Sequence, residues 1–348
     1  MHLAGLFGDP RLPYSYSRSG RIEPEEREAT RRVVEALSAW TGIHLSVLDD
    51  HRRLIDALRS DPPDLVINLC DNGFNNRLER EAHVPALLEL LDIPFTGSSV
   101  QAISLCADKA AVRGVAASLG IPVPAEQAVA VTDADQALPE HYPVLIKPND
   151  GCGSLGVESG SLVHNPDDAR TCLERFRASE KPPAWLLIQD YLPGTEYTVG
   201  VIGNPGTGFT EMPPLAIDYS ALPAGVPPIL AYSAKADPAS DYYRLLRSVP
   251  VPADEPVARQ MIAAARTLFT RLGVRDYARV DFREDADGVP RLIDFNTQPN
   301  WSYDGKLASM AELAGYDYPG MLRRLVETAC ARYGISAPPG SPGDARGP

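Results

Sequence analysis

The sequence has little of what marks several large classes of protein. Its 348 residues carry 33 Lys and Arg against 46 Asp and Glu, a formal net charge of −13. The negative charge is spread over the chain and no long basic run exists, so the electrostatic footprint of a nucleic-acid binder is missing. A nucleotide is the better fit among anions, because a few lysines in a pocket can hold it against an acidic background. No stretch approaches the ~20 consecutive apolar residues that a membrane span needs. The opening run from Met1 to Pro10 lacks the basic start and long apolar core of a secretory signal. Cysteines number five (Cys70, Cys106, Cys152, Cys172 and Cys330). That odd count, without close pairing, argues against a disulfide framework and against a zinc site. No internal repeat and no convincing Ser/His/Asp or Cys/His arrangement is found. The expectations are a cytoplasmic protein with small-molecule substrates, no nucleic acid and no membrane.

What is there reads as an α/β chain long enough for two or three modules. Glu25 to Trp40 has helical character, Leu45 to Leu48 and Leu65 to Asn68 look like short strands, and Glu79 to Leu91 repeats apolar residues at helical spacing. Such alternation points to a mainly parallel sheet. A further helix runs from near Gln101 through Lys109 and Val115 until Gly120-Ile121-Pro122-Val123-Pro124 stops it. Strands follow at Val144 to Lys147, Leu186 to Gln189 and Thr198 to Ile202. Gly203 to Pro252 is rich in Pro, Gly, Ala and Tyr with weak periodicity, which predicts a functional loop or disorder. Helices at Pro256 to Leu272 and Tyr318 to Tyr333 come next, and the Pro/Gly-rich end from Ala337 to Pro348 reads as a disordered tail.

The most informative pair of segments is Ala278-Arg279-Val280-Asp281-Phe282 and Leu292-Ile293-Asp294-Phe295-Asn296-Thr297. Each alternates polar with apolar residues, and Asp287-Gly288 lies between them, so a β-hairpin with one polar face is predicted. Arg279, Asp281, Asp294 and Asn296 share that face, while Val280, Phe282, Ile293 and Phe295 point into a core. Two carboxylates and a carboxamide make an all-oxygen site suited to Mg²⁺, and the arginine beside them suits phosphoryl chemistry. A plain surface hairpin with a salt bridge is the alternative. Between Lys147-Pro148 and Gly156-Val157 lies a glycine-dense loop, which is either a phosphate cradle or a bare turn and is not the GxxxxGK loop of P-loop NTPases. Cys152 within it reads as a small filler. Gln189 to Glu196 is a strand, a tight turn and a resumed strand, able to offer backbone to an adenine edge and Glu196 to a ribose; an ordinary connection is the competing reading.

The order of these segments resembles the ATP-grasp superfamily, and within it the D-alanine-D-alanine ligase family. Ile93-Pro94-Phe95-Thr96-Gly97-Ser98, Ala107-Asp108-Lys109, Gly120-Ile121-Pro122-Val123-Pro124 and the RxDF…DFNTxP hairpin carry the likeness, from about Asp64 to Tyr333. It implies an α/β fold of the α+β ATP-grasp type: an N-terminal Rossmann-like parallel-sheet domain (1–103), then two α+β subdomains that clasp ATP (104–190 and 191–335, with a lid at 203–252), and a tail (336–348). Lys109, Lys147 and Ser154 are implied as phosphate ligands, Gln189, Tyr191 and Leu192 as adenine contacts, and Glu196 as the ribose contact. Asp281, Asp294 and Asn296 match the Mg²⁺ ligands, with two ions implied and Mn²⁺ as the alternative metal. Arg279 matches the arginine that steadies the reacting carboxyl group, and Lys235 the lid lysine. A homodimer is the assembly common in the family.

Departures from the family pattern fall on substrate contacts. The N-terminal Ser-x-Glu segment is not recognisable in Leu3 to Glu28, Asp71 stands near a substrate-site histidine, Gly153 replaces a serine and Ala236 a tyrosine. Asn300 replaces a glycine, and Gly305-Lys306 stand where Ser-Leu grips the second carboxylate. The resulting expectation is an ATP-dependent carboxylate-amine ligase that works through an acylphosphate on substrates other than two D-alanines, with Lys306 reading an anionic group of the acceptor. A genuine D-alanine-D-alanine ligase, a nucleotide-binding module without ligation and a carboxyl kinase are the alternatives.

Overall fold

The computed structural model describes residues 1–134, 138–151, 156–237 and 239–338, with only the backbone of Lys235 and Ala236. Most of the expected tail therefore lies outside the described residues. Three sheets organise the chain. The first joins β1 (His2–Leu6), β2 (His44–Leu48) and β3 (Leu65–Asn68) in the parallel order β2-β1-β3. Parallel neighbours need crossovers, supplied here by α1 (Pro24–Ser38) and α2 (Leu54–Ser60). The start of α1 is set by a capping box between Glu23 and Glu26 with a proline in the first turn, and its buried face carries Val33 and Leu37. After α3 (His83–Leu90) come α4 (Val100–Ala107) and α5 (Lys109–Ser118). The single helix expected across Lys109 is thus two, because Asp108 turns extended and its carboxylate caps the amide of Ala111.

The second sheet is antiparallel, in the order β4-β7-β5-β6, from β4 (Glu126–Ala130), β5 (Val144–Pro148), β6 (Leu162–Val163) and β7 (Trp185–Asp190). One face is covered by α6 (Pro166–Ala178), which buries Ala169, Cys172, Leu173 and Phe176. The third sheet is built on β8 (Glu196–Asn204), buried along its whole length. From β8 the chain makes β9 (Gly208–Thr210), β10 (Leu215–Asp218), the short helices α7 (Ser233–Ala236) and α8 (Asp241–Leu245), and β11 (Arg247–Pro250). The stretch expected to be irregular from Gly203 to Pro252 therefore contains three strands that extend this sheet. Its strands are three or four residues long, and β11 is an edge strand exposed at every position, so the sequence has no alternation to read there.

Next come α9 (Pro256–Arg271), β12 (Tyr277–Glu284), β13 (Pro290–Asn296), α10 (Lys306–Leu313) and α11 (Tyr318–Tyr333). Strands β12 and β13 form the expected hairpin, with Arg279 opposite Asn296 and Asp281 opposite Asp294. Its register slips by one residue after Asp281, so that Phe282 faces Leu292 and Ile293 is the extra residue of a bulge. Leu292 joins the core with Val280, Phe282 and Phe295, whereas Ile293, expected there, does not. The bulge is held from α5, where Arg113 donates to the carbonyl of Ile293 at 2.8 Å.

One carboxylate ties the first sheet to the third. Asp276, fully buried just before β12, accepts from Gly97 N (2.8 Å), Asn204 Nδ2 (2.8 Å) and both Nε (2.8 Å) and Nη2 (2.7 Å) of Arg332 on α11. Its backbone is left-handed at φ 66°, a region that Asp and Asn tolerate better than most residues. The close approach also constrains Gly97, at φ 89°, where a Cβ would sit 3.0 Å from the Tyr277 hydroxyl. Because removing one partner of a buried ion pair strands the other, Asp276→Ala is expected to cost about 3–5 kcal/mol in urea unfolding. Asp276→Asn keeps the shape and the tolerated φ while losing the charge, and should fall between the two. Unfolding midpoints identical to that of the parent would mean the four contacts contribute nothing net.

Candidate functional site

The hairpin delivers Asp281 and Asp294 to a cleft between the second and third sheets, while Arg279 and Asn296 of the same face do not line it. A narrow cavity of about 90 Å³ there is lined by Lys109, Lys147, Gln189, Tyr191, Leu192, Glu196, Asp281 and Asp294. Eight of the residues expected at a nucleotide are thus brought together, from α5, β5, β7, β8 and the hairpin. Apolar walls come from Leu145, Val157, Ile229, Leu230 and the bulged Ile293. Ser154 and the side chain of Lys235 lie outside the described residues, as does Gly153.

Most of the charged groups in this cavity have a partner of opposite charge. Arg279 grips Asp281 with two parallel bonds, Nε to Oδ1 at 3.1 Å and Nη2 to Oδ2 at 3.0 Å, and Thr198 donates to Oδ1 at 2.6 Å. Against its burial, Arg279 and Lys306 hold the Asp281 carboxyl well below the usual carboxylate range. Asp294 is likewise kept low despite burial, chiefly by Lys109, whose Nζ lies 3.5 Å from Oδ1. Lys147 goes the other way: burial, helped by Arg113 and Lys109, brings its ammonium down to about 7. It donates to Gln189 Oε1 at 3.2 Å, while Gln189 Nε2 donates to Glu126 at 2.8 Å. The Gln189 carboxamide, expected at an adenine, is thus engaged at both ends within the protein.

Arg283 is the residue that the sequence reading missed. It lines the cavity, donates to Glu196 Oε2 at 3.1 Å and to the Tyr191 hydroxyl at 3.0 Å, and its buried Nε has no partner among the described residues. Its signal was the alternation itself, since 279, 281 and 283 continue one face of β12. Glu196 also accepts from Tyr219 at 2.7 Å, again on Oε2. The donor set near the hairpin is all oxygen. Among the described residues no group of three or more His, Cys, Asp or Glu side chains could hold a metal. Two carboxylates and a carboxamide nevertheless fit Mg²⁺, which takes few protein ligands and completes its shell from water and phosphate.

Past the hairpin a second, larger cavity of about 450 Å³ opens between α1, the end of β3 and the segment after β13. Asp71, Asn300 and Gly305 line it. Burial and the nearby Glu26 raise the Asp71 carboxyl to about 7, and burial with Asp71 raises Glu81 to about 8. Lys306, at the first turn of α10, is directed to the hairpin: burial lowers its pKa against the pull of Asp281.

Residues 116–327 match the family described as D-ala D-ala ligase C-terminus. The chain belongs to that family. It is 29% identical over 308 residues to a D-alanine–D-alanine ligase of Granulibacter bethesdensis, covering 87% of this chain and 92% of that one. Among solved structures, the D-alanine–D-alanine ligase of Bacillus anthracis in complex with ATP superimposes with a TM-score of 0.69 at 19% identity, over 95% of this chain and 98% of that one. The VanG D-Ala:D-Ser ligase of Enterococcus faecalis does so at 0.67 and 17%, over 94% and 99%. The fold is therefore ATP-grasp, and the protein is an ATP-dependent ligase of the D-alanine–D-alanine ligase type. These names lend no support to the expectation that two D-alanines are not its substrates.

Within this ligase, the Arg279–Asp281 pair is buried and bidentate. Arg279→Met, which keeps most of the side-chain volume, is expected to lose about 3 kcal/mol in urea unfolding at neutral pH. Because the folded Asp281 pKa is depressed, its contribution is present above the unfolded carboxyl value of about 4 and is lost as pH falls through the folded value. The deficit of the variant should accordingly shrink in acid; a deficit that is absent, or that grows in acid, would contradict the pairing.

Proposed function

We propose that the cavity between the second and third sheets binds ATP and that the enzyme joins a carboxylate to an amine through an acylphosphate. The supporting observation is that Asp281 and Asp294 of the hairpin share one cavity with Lys109 and Lys147, while the register keeps Asn296 on the same strand pair, opposite Arg279. In this reading Lys109 and Lys147 face the phosphates, with Ser154 and Lys235 as further phosphate ligands. Tyr191 and Leu192 offer backbone to adenine, and Glu196, whose protein contacts both fall on Oε2, receives the ribose on Oε1. Asp281, Asp294 and Asn296 would hold two Mg²⁺ ions, which supply neutralising charge for the triphosphate.

The donor carboxylate attacks the γ-phosphorus, the bond to the β-γ bridging oxygen breaks, and ADP leaves. The lysines offset the charge that spreads over the phosphoryl oxygens. An uncharged amine then attacks the acyl carbon; Arg279, its plane fixed by Asp281, stabilises the oxyanion until the carbon–oxygen bond to phosphate breaks, and the proton lost from nitrogen leaves with the phosphate. A slot of about 90 Å³ is small beside the roughly 300–1,000 Å³ of ordinary ligand sites, so nucleotide entry requires Ile229 and Leu230 to withdraw. The segment between β10 and β11 is the lid in this reading. Lys306, near Asp281 and Arg279, reads the acceptor's carboxylate from the same side.

Two measurements test the reading. Asp281→Asn removes a charged ligand, and ADP formation with Mg²⁺, ATP and pooled amino acids should fall well over tenfold, by more than about 1.4 kcal/mol of transition-state stabilisation. Near-normal turnover would reject the metal assignment. The second concerns Lys147, whose free-protein pKa of about 7 leaves it largely neutral at pH 8. An adjacent triphosphate favours the ammonium, so nucleotide binding at pH 8 should take up a proton, seen by calorimetry in buffers of different ionisation enthalpy. Lys147→Met should abolish the uptake, and binding without proton exchange in the parent would move Lys147 away from the phosphates.

A further inference from the structure

The second cavity has an electrostatic character that the ligation reading does not explain. Four carboxylates line it, Glu25, Glu26, Asp71 and Asp304, and among its described lining residues there is no Lys, Arg or His. Asp71 makes no ion pair among the described residues, and the charged neighbours that face it, Glu26 and Glu81, are both acidic. Glu25, Glu26 and Asp304 are exposed, whereas Asp71 is partly buried. A desolvated carboxylate facing like charge costs free energy unless a cation joins it, and Asp71 holds its proton up to about pH 7. The wall toward the hairpin differs. Gln298 lines the same cavity at 7% exposure, and its Nε2 has no hydrogen-bond partner among the described residues. Its backbone amide donates to Asn296 Oδ1 at 2.8 Å, which fixes that unpaired donor beside the proposed site of phosphoryl transfer. One end of the cavity thus lacks an acceptor; at the other, Glu25 has Arg18 at 3.7 Å, but Asp71 has no cation among the described residues.

Size adds a third constraint. At about 450 Å³ the cavity falls within the roughly 300–1,000 Å³ that small-molecule sites occupy, and alanine would leave most of it empty. We propose that the acid-donating substrate is an amino-bearing carboxylic acid with a second cationic group, an amine or guanidinium several bonds from the reacting carboxylate, and that Asp71 reads that cation. This rests on the ligase reading above: the carboxylate lies at the Gln298 end, toward the transferred phosphoryl group, and the cation lies among Asp71, Glu26 and Glu25. A guanidinium or ammonium paired with a desolvated carboxylate is a charge-assisted contact, stronger than a neutral one.

The test is calorimetric binding to the full chain with Mg²⁺ and a non-hydrolysable ATP analogue, using ornithine, lysine and arginine of both hands, with norleucine and alanine as neutral probes. At least one cationic acid should bind about tenfold or more tightly than norleucine, an advantage of about 1.4 kcal/mol. Asp71→Asn should bring the ratio of cationic to neutral affinity toward one, and Asp71→Glu should restore part of it. Nucleotide affinity measured in each variant identifies a misfolded one, and Glu26→Gln, in the first turn of α1, then serves as the second probe, with the same fall in the ratio expected. Alanine or norleucine binding as tightly as every cationic acid would overturn the proposal, as would an Asp71→Asn variant that weakens all acids equally. ADP release separates the two readings: tight cationic binding without ADP sinks the ligase mechanism and leaves this assignment standing, whereas ADP formed on neutral acids alone does the reverse.

Discussion

The buried carboxylate of Asp276 is the constraint on which the site's geometry depends. It collects donors from the loop at Gly97, from Asn204 at the end of β8 and from Arg332 on α11, so three segments far apart in sequence meet on two oxygens. Arg332 also reaches the carbonyl of Phe95, which completes the tie to the first sheet. Everything downstream is counted from this point. Tyr277 begins β12, its alternation presents residues 279, 281 and 283 to the cleft, and the pairing with β8 aligns Asp281 with Thr198 and Arg283 with Glu196. A one-residue slip here would turn every charged side chain of the strand into the core, which is why the register is held by ionic and apolar contacts together.

Charge inside the cleft is arranged by neighbours more than by the chain's overall acidity. The first cavity mixes Lys109, Lys147 and Arg283 with Glu196, Asp281 and Asp294, and nearly every carboxylate there has a cation in contact. Lys147 has no such ion pair: it is a buried ammonium in contact with an uncharged carboxamide, so desolvation governs it. The second cavity is the inverse, with carboxylates and no cation among its described lining residues. A cavity that holds lysines and a second lined by carboxylates without a cation suit a reaction whose co-substrate is a polyanion and whose other substrates are amino compounds.

How much of this was legible in the sequence depended on the range of the interactions involved. The hairpin was, because period-two alternation and an Asp-Gly turn are local, and α11 was, because its proline start and its left-handed Gly334 end are local too. The same reasoning could not see the bulge at Ile293, whose cause is tertiary: it is held by Arg113 on a helix about 180 residues earlier. Nor could it see that Gln189 is spent within the protein, since Glu126 and Lys147 meet it only when β4 and β5 flank β7. The short strands β9, β10 and β11 were hidden because pairing to a buried neighbour, and not intrinsic pattern, makes them strands.

The segment between β10 and β11 joins the two cavities mechanically. Ile229 and Leu230 form part of the wall of the first, and Tyr243 of α8 forms part of the wall of the second. Its underside packs Ile229, Ala231 and Tyr242 against Val157 and Leu162 of the second sheet's unit, while the Tyr232 hydroxyl donates to the carbonyl of Tyr16 in the loop before α1. Ile229 and Tyr243 belong to this one segment, so a movement of the segment as a unit would alter the walls of both cavities. Such a movement would also break the apolar cluster and the Tyr232 contact. In the proposed lid motion, the contacts given up on the nucleotide side belong to the same segment that shapes the space beside Asp71.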